Sequence, residues 1–289
     1  MNAPVDAAAA SADLERRFGG LRRLYGDAGY RRLRTARVAV VGLGGVGSWA
    51  VEALARSGVA RLVLIDLDHV AESNINRQVQ ALGATLGMTK VEALRQRIAD
   101  IHPGCEVLGI EEFASPANWP DLLPADVDVL IDACDQSAAK LALAAWALQT
   151  GMAAVCVGAA GGKQSAQRVE VADLSEVTHD PLLASLRQRL RKQGAPRQGR
   201  IGLSCVFSRE SVASPLNEAV CAAGGAPDGA PDGAPDGTPD GTTDGSIDGT
   251  TDGTLNCSGY GSTVTVTATF GLVAAGEAIR RCIAMPSGA

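Results

Sequence analysis

The sequence predicts an α/β fold: a Rossmann-like, doubly wound, mostly parallel sheet with helices on both faces and a C-terminal strand and helix as an extension. Short apolar, β-branched runs alternate with helical patterns from residue 38 to residue 192, as expected of parallel strands joined by crossover helices. A glycine-rich turn joins the first strand to the first helix. The 289 residues, 46% of them hydrophobic, are enough to bury one large core.

Each element follows from its local pattern. Strands are predicted where apolar runs are short, near residues 38–42, 61–65, 105–110, 127–132, 153–157 and 168–172, and Cys205 is expected in a further strand. Helices are predicted where apolar residues recur with helical spacing, near 45–57, 87–101, 137–150 and 182–192. Residues 263–269 alternate threonine with apolar side chains, which predicts a strand ahead of a core helix.

Composition sets the boundaries of the folded part. Residues 1–12 are expected to form a disordered tail, since they lack the basic region of a signal peptide. One nucleotide-binding domain is expected over 13–220, and 259–289 should complete the same domain. The apolar segment 260–285 is interrupted by Gly271, Gly276 and the charged Glu277, so a core helix is favoured over a membrane span.

A low-complexity insertion is expected between these parts, over 221–258. From Ala226 to Gly253 a four-residue unit occurs seven times, each time with an aspartate. Such a tract cannot bury a core and its charges repel one another, so a disordered loop is predicted. Calcium binding is the alternative, but a period of four lacks the spaced acidic ligands of an EF-hand loop.

The glycine-rich turn predicts a phosphate-binding site. Gly42 permits a tight turn, Gly44 and its neighbour Gly45 let the backbone approach a phosphate, and Gly47 allows close helix–strand packing. Asp66 ends the second strand, where a carboxylate would accept hydrogen bonds from ribose hydroxyls. Asp68 is included in the same expected site.

The residues that follow include a set of polar side chains that a dinucleotide-binding dehydrogenase does not need. Asn74, Arg77 and Gln78 form an Asn-x-x-Arg-Gln pattern, and Lys90 lies shortly beyond it. Arg77 can fork two phosphate oxygens and Lys90 can neutralise a third. As isolated residues, both would read equally well as solvated surface positions, but together they favour a triphosphate site.

Two carboxylates, Asp132 and Asp135, lie at the carboxyl end of the strand predicted over 127–132. Asp135 is expected to hold Mg²⁺ beside a triphosphate, since this ion prefers a few carboxylates together with phosphate oxygens. Asp132 has two open roles, either at the nucleotide or as the cap of the following helix, for which Ser137 competes.

These motifs resemble the ThiF/MoeB-type, ubiquitin-activating-like adenylating superfamily, whose members transfer AMP from ATP to a carboxylate. The resemblance is carried by GLGGVGSWAVEALARSG, LIDLDHVAESNINRQ, GMTKVEAL and DACDQ. Segments 16–26, 158–191, 202–210 and 265–274 are similar to the branch that dehydrates threonylcarbamoyladenosine in tRNA. The resemblance is colinear over 14–285, apart from the insertion.

The resemblance implies ATP with Mg²⁺, an additional monovalent cation, tRNA as substrate, and a homodimer. It implies catalytic roles for Arg77, Lys90 and Asp135, and an arginine donated by the partner subunit. The usual second arginine is missing after Arg17, so Arg17, Arg22 or Arg23 could serve, and Arg23 is preferred. Eight arginines in 13–37 could alternatively bind the tRNA backbone.

A second basic segment is expected to contact tRNA. The net charge is −6, which argues against general nucleic-acid binding, but 187–200 contains no acidic residue. On the helix predicted there, the polar face would carry Arg187, Arg189, Arg191 and Lys192. The alternative is a solvated face without a ligand.

The seven cysteines indicate reduced thiols and a cytoplasmic location, because they are odd in number and form no C-x-x-C pair. A structural zinc site is therefore not expected. Cys221 and Cys257 flank the insertion, and the resemblance links this region to a sulfur-relay partner. Two other functions stay open: an adenylyltransferase for a sulfur-carrier protein, and a non-catalytic nucleotide-binding or NAD-binding protein.

Overall fold

Seven strands form one sheet, and the computed structural model describes residues 13–213 and 260–285. The strands are β1 (Arg37–Val41), β2 (Arg61–Ile65), β3 (Glu106–Ile110), β4 (Val129–Asp132), β5 (Ala153–Val157), β6 (Val169–Asp173) and β7 (Ser204–Ser208). The helices are α1 (Leu14–Phe18), α2 (Gly20–Leu33), α3 (Gly47–Arg56), α4 (Lys90–Ile101), α5 (Ser137–Thr150), α6 (Pro181–Lys192) and α7 (Val264–Ala284). Short 3-10 turns lie at Glu72–Asn74, Gly83–Thr85 and Ala166–Arg168.

The strand order is β3-β2-β1-β4-β5-β7-β6, and every neighbouring pair is parallel except β6 with β7. This confirms the predicted α/β, mostly parallel, doubly wound sheet. The strand order reverses between β1 and β4, where Val41 lies in register with Ile65 on one side and with Asp132 on the other. Open α/β sheets bind ligands outside the carboxyl ends of strands at such a point.

The core lies on both faces of the sheet. Val38 and Val40 of β1 pack in one buried cluster with residues of α3, α4 and α7, while Ala39 and Val41 pack in a second cluster with residues of α5 and α6. Because both faces are covered, the strands read as continuous apolar runs rather than as an alternating pattern. The prediction of helices on both faces is therefore confirmed.

One predicted element is wrong. Residues 264–284 form a single helix, α7, so the expected strand over 263–269 does not exist. The helix lies against α3, and Gly271 is needed there because a Cβ would come within 2.8 Å of the Trp49 Cβ. Packing of Val266 and Phe270 in the core decides the structure, since local β propensity is easily overridden by burial. No helix in 13–213 or 260–285 is long and apolar enough to cross a membrane.

Two N-terminal helices were not among the predicted elements. Asp13 begins α1 by accepting a hydrogen bond from the Arg16 amide at 2.9 Å, and Tyr30 and Leu33 of α2 are buried. The arginine-rich segment 13–37 is thus largely helical. The predictions for residues 1–12 and for the insertion 221–258, with Cys221 and Cys257, lie outside the described residues.

Candidate active site

A cavity of about 560 Å³ opens at the carboxyl ends of β1, β2 and β4. Its size lies in the range of small-molecule and cofactor sites. The structure brings ten of the residues predicted from the sequence to its lining: Gly42, Gly44, Gly45, Asp66, Asp68, Asn74, Arg77, Gln78, Lys90 and Asp135. Gly47 and Asp132 do not line it.

The glycine turn has the geometry of an anion site. Gly42 has a φ of +86°, and a Cβ there would come within 2.8 Å of the Cys134 amide nitrogen. A Cβ on Gly47 would overlap the Gly42 carbonyl oxygen, which explains the glycine at the start of α3. The amides of Gly44, Gly45 and Val46, just ahead of α3, donate no hydrogen bond within the described residues. Free amides at a helix start attract anions such as phosphate.

Asp66 fixes this turn and faces the cavity. Its Oδ2 accepts a hydrogen bond from the Leu43 amide at 2.6 Å, and its Oδ1 accepts one from the Asp68 amide at 2.8 Å. Burial raises the pKa of Asp66, although Lys90 and the two amides act in the opposite direction. Each carboxylate oxygen keeps a second lone-pair direction, which a ribose hydroxyl could use.

Lys90 is the first residue of α4 and is held by Asp68. Its Nζ lies 2.6 Å from Asp68 Oδ2 and 3.8 Å from Asp66 Oδ1. Thr89 caps α4 by accepting a hydrogen bond from the Glu92 amide, which fixes the position of Lys90. The ammonium has three donors, so it can keep Asp68 and still contact a phosphate oxygen.

Arg77 lines the cavity and lies three residues beyond the 3-10 turn Glu72–Asn74. Its Nη1 donates to the Ser73 carbonyl oxygen at 2.6 Å and to Asn76 Oδ1 at 2.9 Å. Its Nε and Nη2 donate no hydrogen bond to any described residue. Asn74 supports the turn by accepting a hydrogen bond from the Ala71 amide. The guanidinium therefore presents unoccupied donors next to the glycine turn.

The structure corrects the expectation for Asp132. The carboxylate is 3% exposed, and its Oδ2 lies 2.8 Å from Nζ of the fully buried Lys140. Its Oδ1 accepts from the amide and the thiol of Cys134. It caps no helix either, because Gln136 precedes α5 without a side-chain cap. A charge paired this deeply supports the cavity wall and does not line the cavity.

Asp135 lines the cavity and makes no hydrogen bond or ion pair within the described residues. The lining carries four carboxylates and only two cationic side chains: Asp66, Asp68, Glu112 and Asp135 against Arg77 and Lys90. A polyphosphate therefore needs further positive charge in this cavity. The described residues contain no group of three or more side chains that could hold a metal alone. A single carboxylate with phosphate oxygens is, however, a donor set that Mg²⁺ accepts.

Several lining residues were missed from the sequence. They are His69, Glu112, Phe113, Gln136, Gly158, Ala159, Gly161, Ser262 and Thr267. The glycine-rich segment 158–162 directly follows β5, and this pattern could have predicted a second turn at the ligand site. This turn is fixed by Asp180, whose Oδ2 accepts a hydrogen bond from the Ala159 amide and whose Oδ1 caps α6. Ser262 and Thr267 come from a segment too distant in sequence to predict.

The three arginines that could be donated to the partner subunit differ in their contacts. Arg17 donates to the carbonyl oxygens of Asp100 and Ile101, at the end of α4. Arg22 pairs with Asp27 and with Glu15. Arg23 makes no hydrogen bond or ion pair within the described part of the chain and is exposed. The preference for Arg23 stays a prediction.

The basic face of α6 is partly occupied by structural contacts. Arg187 donates to the carbonyl oxygens of Leu174 and Val177, and Arg189 donates to that of Ser137. Arg191 makes one long bond, 3.3 Å, to the Pro196 carbonyl oxygen. Lys192 has no hydrogen bond or ion pair among the described residues. Its side chain is thus the freest of the four predicted tRNA contacts.

The described cysteines are free thiols. Burial raises the pKa of Cys105 and of Cys282 to about 12 and also raises that of Cys134. Cys205 lies in β7, as predicted, and is buried. Buried thiols with raised pKa values are unreactive, which indicates that Cys105, Cys134 and Cys282 are packing residues.

Comparisons with known proteins agree with this geometry. The ThiF family model matches residues 17–287. The chain is similar to the tRNA threonylcarbamoyladenosine dehydratase of Escherichia coli K12, with 36% identity over 93% of this chain and 94% of that protein. The crystal structure of E. coli TcdA in complex with ATP matches with a TM-score of 0.77 and 34% identity, over 94% of this chain and 96% of that one. The molybdopterin-synthase adenylyltransferase of E. coli is 36% identical, but only over 39% of this chain and 45% of that protein.

Proposed function

The chain belongs to the ThiF family, and we propose that it is an ATP-dependent tRNA threonylcarbamoyladenosine dehydratase, which converts this nucleoside beside the anticodon to its cyclic form. Near full-length likeness to enzymes of that name supports the proposal. One structural observation carries it: Arg77, Lys90 and Asp135 line one cavity together with the free amides of the glycine turn. That arrangement suits polyphosphate chemistry, and a hydride-transferring enzyme has no need of it.

The reaction needs no nucleophile from the protein. A carboxylate oxygen of the threonyl group attacks the α-phosphorus of ATP, and pyrophosphate leaves. A nitrogen of the ureido group then attacks the activated carbonyl carbon, AMP leaves with the carboxylate oxygen, and the nitrogen loses its proton. The second step is intramolecular, and oriented groups in one molecule reach effective molarities on the order of 10⁵ M or more. The elements of water are thereby removed at the expense of ATP.

The protein contributes positioning and charge stabilisation. Arg77 and Lys90 offset the charge that develops on the α-phosphate and the leaving pyrophosphate. The free amides of the glycine turn bind phosphate oxygens. Asp66 accepts hydrogen bonds from the ribose hydroxyls, which favours ATP over a nucleotide with a 2′-phosphate.

Mg²⁺ fits the donor set of this cavity. Asp135 would hold the ion, and the excess of carboxylates over cations in the lining calls for it. When bound, the ion would neutralise phosphate charge. A monovalent cation remains part of the proposal, and activity in K⁺, Na⁺ and tetramethylammonium salts tests it.

A homodimer would supply the remaining positive charge through Arg23 of the second subunit. The substrate tRNA would contact the cations of α6 that have the fewest structural contacts, chiefly Arg191 and Lys192. The cytoplasm is the compartment proposed for a tRNA-modifying enzyme with free thiols. A sulfur-relay partner acting at Cys221 or Cys257 completes the proposal, and exchange of each for serine tests it.

One experiment tests the function. The purified protein is incubated with ATP, Mg²⁺ and either tRNA carrying threonylcarbamoyladenosine, the same tRNA without the modification, or a sulfur-carrier protein that ends in two glycines. We expect AMP formation with the modified tRNA alone, and a product nucleoside lighter by one water. Stimulation by the carrier protein would instead identify the adenylyltransferase. No AMP with any of the three would favour a non-catalytic nucleotide-binding protein.

A further inference from the structure

A second groove, of about 630 Å³, adjoins the nucleotide cavity. Arg77 and Ser262 line both, so the two spaces meet at these residues. One wall is the 3-10 turn with Ile75 and Asn76, and the other begins at Tyr260. None of the roles assigned above uses this groove.

The two walls are tied together by hydrogen bonds. Asn76 Nδ2 donates to the Ser262 carbonyl oxygen at 3.1 Å, and the Gly162 amide donates to the Gly261 carbonyl oxygen at 2.9 Å. The Tyr260 ring packs against the turn at Gly162, because a Cβ there would lie 3.1 Å from its Cδ1 atom. The Asn76 bond therefore fixes the two walls relative to each other, and the turn at Gly162 supports the Tyr260 ring from outside the groove.

The groove has an apolar part and a charged end. Ile75 is 47% exposed, so an apolar side chain lies open to solvent in the same groove as the aromatic ring. The charged lining residues are Arg77, at the junction with the nucleotide cavity, and Glu72. A flat apolar group is favoured along Ile75 and Tyr260, and a carboxylate is favoured only at the Arg77 end. Unstacked bases of RNA are commonly bound on aromatic side chains.

We propose that this groove binds the modified base of the substrate, an adenine whose N6 substituent ends in a carboxylate. The base stacks on Tyr260 against Ile75, and the carboxylate is held by Arg77 next to the α-phosphate. The inference rests on the proposed function, because only that reaction brings a carboxylate-bearing adenine to this point. It adds a substrate subsite and a second role for Arg77.

The test compares Tyr260→Ala, Tyr260→Leu and Tyr260→Phe on tRNA carrying threonylcarbamoyladenosine. Loss of the ring in the first two should raise KM for this tRNA at least about fivefold, the lower end of what one stacked base contributes. Tyr260→Phe keeps the ring and should stay within about twofold of wild type. The Kd for ATP should not change in any of them, and the melting temperature should stay at the wild-type value in Tyr260→Phe and Tyr260→Leu, which retain the bulk that packs on Gly162. Leu272→Ala removes a half-exposed apolar side chain of α7 outside the groove and serves as the matched control.

The outcomes separate this proposal from the function itself. Absence of the cyclic nucleoside with wild-type protein would overturn the function before any variant is compared. Normal KM in Tyr260→Leu, which retains the bulk that packs on Gly162, would overturn the subsite. A loss in Tyr260→Phe equal to that in Tyr260→Ala would also overturn it, because the hydroxyl and not the stacking ring would then be responsible. An equal loss of ATP affinity would place Tyr260 in the nucleotide site.

Discussion

Nζ of Lys140 lies 2.8 Å from Oδ2 of Asp132, and both side chains are almost entirely buried. Burial alone would lower the pKa of Lys140, but the attraction of Asp132 raises it above its ordinary value. The other oxygen of Asp132 accepts a hydrogen bond from the amide of Cys134, which lines the nucleotide cavity. The ion pair therefore connects α5 to the turn that presents Asp135.

Lys140→Met should destabilise the protein by about 3–5 kcal/mol, because it leaves a buried carboxylate without its partner. The free energy of unfolding in urea measures this. The double variant Asp132→Leu with Lys140→Met should recover most of the loss, since both charges are then removed from the core. A double variant as unstable as Lys140→Met alone would show that the packing of the lysine stem, and not the ion pair, is responsible.

Arg77→Ala should lower kcat by roughly 10²- to 10³-fold, the usual cost of removing one preorganised charge partner. Among the described residues its guanidinium donates hydrogen bonds to the local turn alone, so the melting temperature should change little. Arg95→Ala is the matched control, because Arg95 forms a solvent-exposed i,i+3 ion pair with Glu92 away from the cavity. Equal losses of activity and stability in Arg77→Ala would mean that the residue is structural.

Asp135→Asn should raise the Mg²⁺ concentration needed for half-maximal activity, because the variant loses the only charge that this residue could offer the ion. The side chain has no partner within the described residues, so the unfolding midpoint should be unaffected. Titration of activity with Mg²⁺ at fixed ATP gives the result. Asp121→Asn, an exposed carboxylate outside the cavity lining, is the control. An unchanged Mg²⁺ titration in Asp135→Asn would remove Asp135 from the metal site.

The fold was predictable because its signals are local. Strand β2 and helix α5 occur with the predicted bounds, since each contains a short apolar run or a helical repeat that no other arrangement buries. The start of α7 was not predictable in this way. Its alternating threonines fit a strand locally, and the helix is favoured by burial of Val266 and Phe270 and by the close packing of Gly271 against α3.

Site residues were predictable where the spacing of a motif fixes their position. They were not predictable where the face of the strand on which a side chain lies decides its role. The glycine turn, Asp66 and Arg77 all reach the cavity as expected. Asp132 does not, because strand alternation places it on the same face as Leu130, towards α5, where Lys140 completes a buried pair. The contribution of Ser262 to the lining depends on chain topology, which no short pattern in the sequence encodes.

The basic face of α6 should separate into two groups. Arg191→Ala with Lys192→Ala should flatten the dependence of log affinity for tRNA on log salt by up to about two counterions, because each phosphate contact releases roughly one cation. The melting temperature of this double variant should stay at the wild-type value. Arg187→Ala should instead lower stability, since it removes two hydrogen bonds to main-chain carbonyl groups. If the double variant keeps the wild-type salt slope, this face is merely solvated and the arginines in 16–37 become the tRNA contacts.

His102 lies outside the candidate active site and makes the free energy of unfolding depend on pH. The ring is fully buried against Phe18, its Nε2 lies 2.8 Å from Arg34 Nη1, and its Nδ1 has no hydrogen-bond partner among the residues that the structure describes. Burial, together with the positive charge of Arg34, lowers the pKa of His102 to about 4 from an ordinary value of 6.5. The folded protein therefore keeps this histidine neutral at pH values where the unfolded chain protonates it.

The stabilising contribution of neutral His102 should be complete above about pH 6.5 and should decline as the pH falls towards 4, by up to about 3 kcal/mol. His102→Gln keeps an acceptor for Arg34 but does not titrate, so its free energy of unfolding should fall less over this range. Urea unfolding of both proteins between pH 5 and 6.5 is the appropriate window, because the pKa values of Glu52 and Glu277 are lowered from 4.5 and these groups titrate below it. Taking the difference between the two proteins cancels the carboxylates that they share. Parallel curves for the two would show that Arg34 and the apolar contacts do not hold His102 in its neutral form.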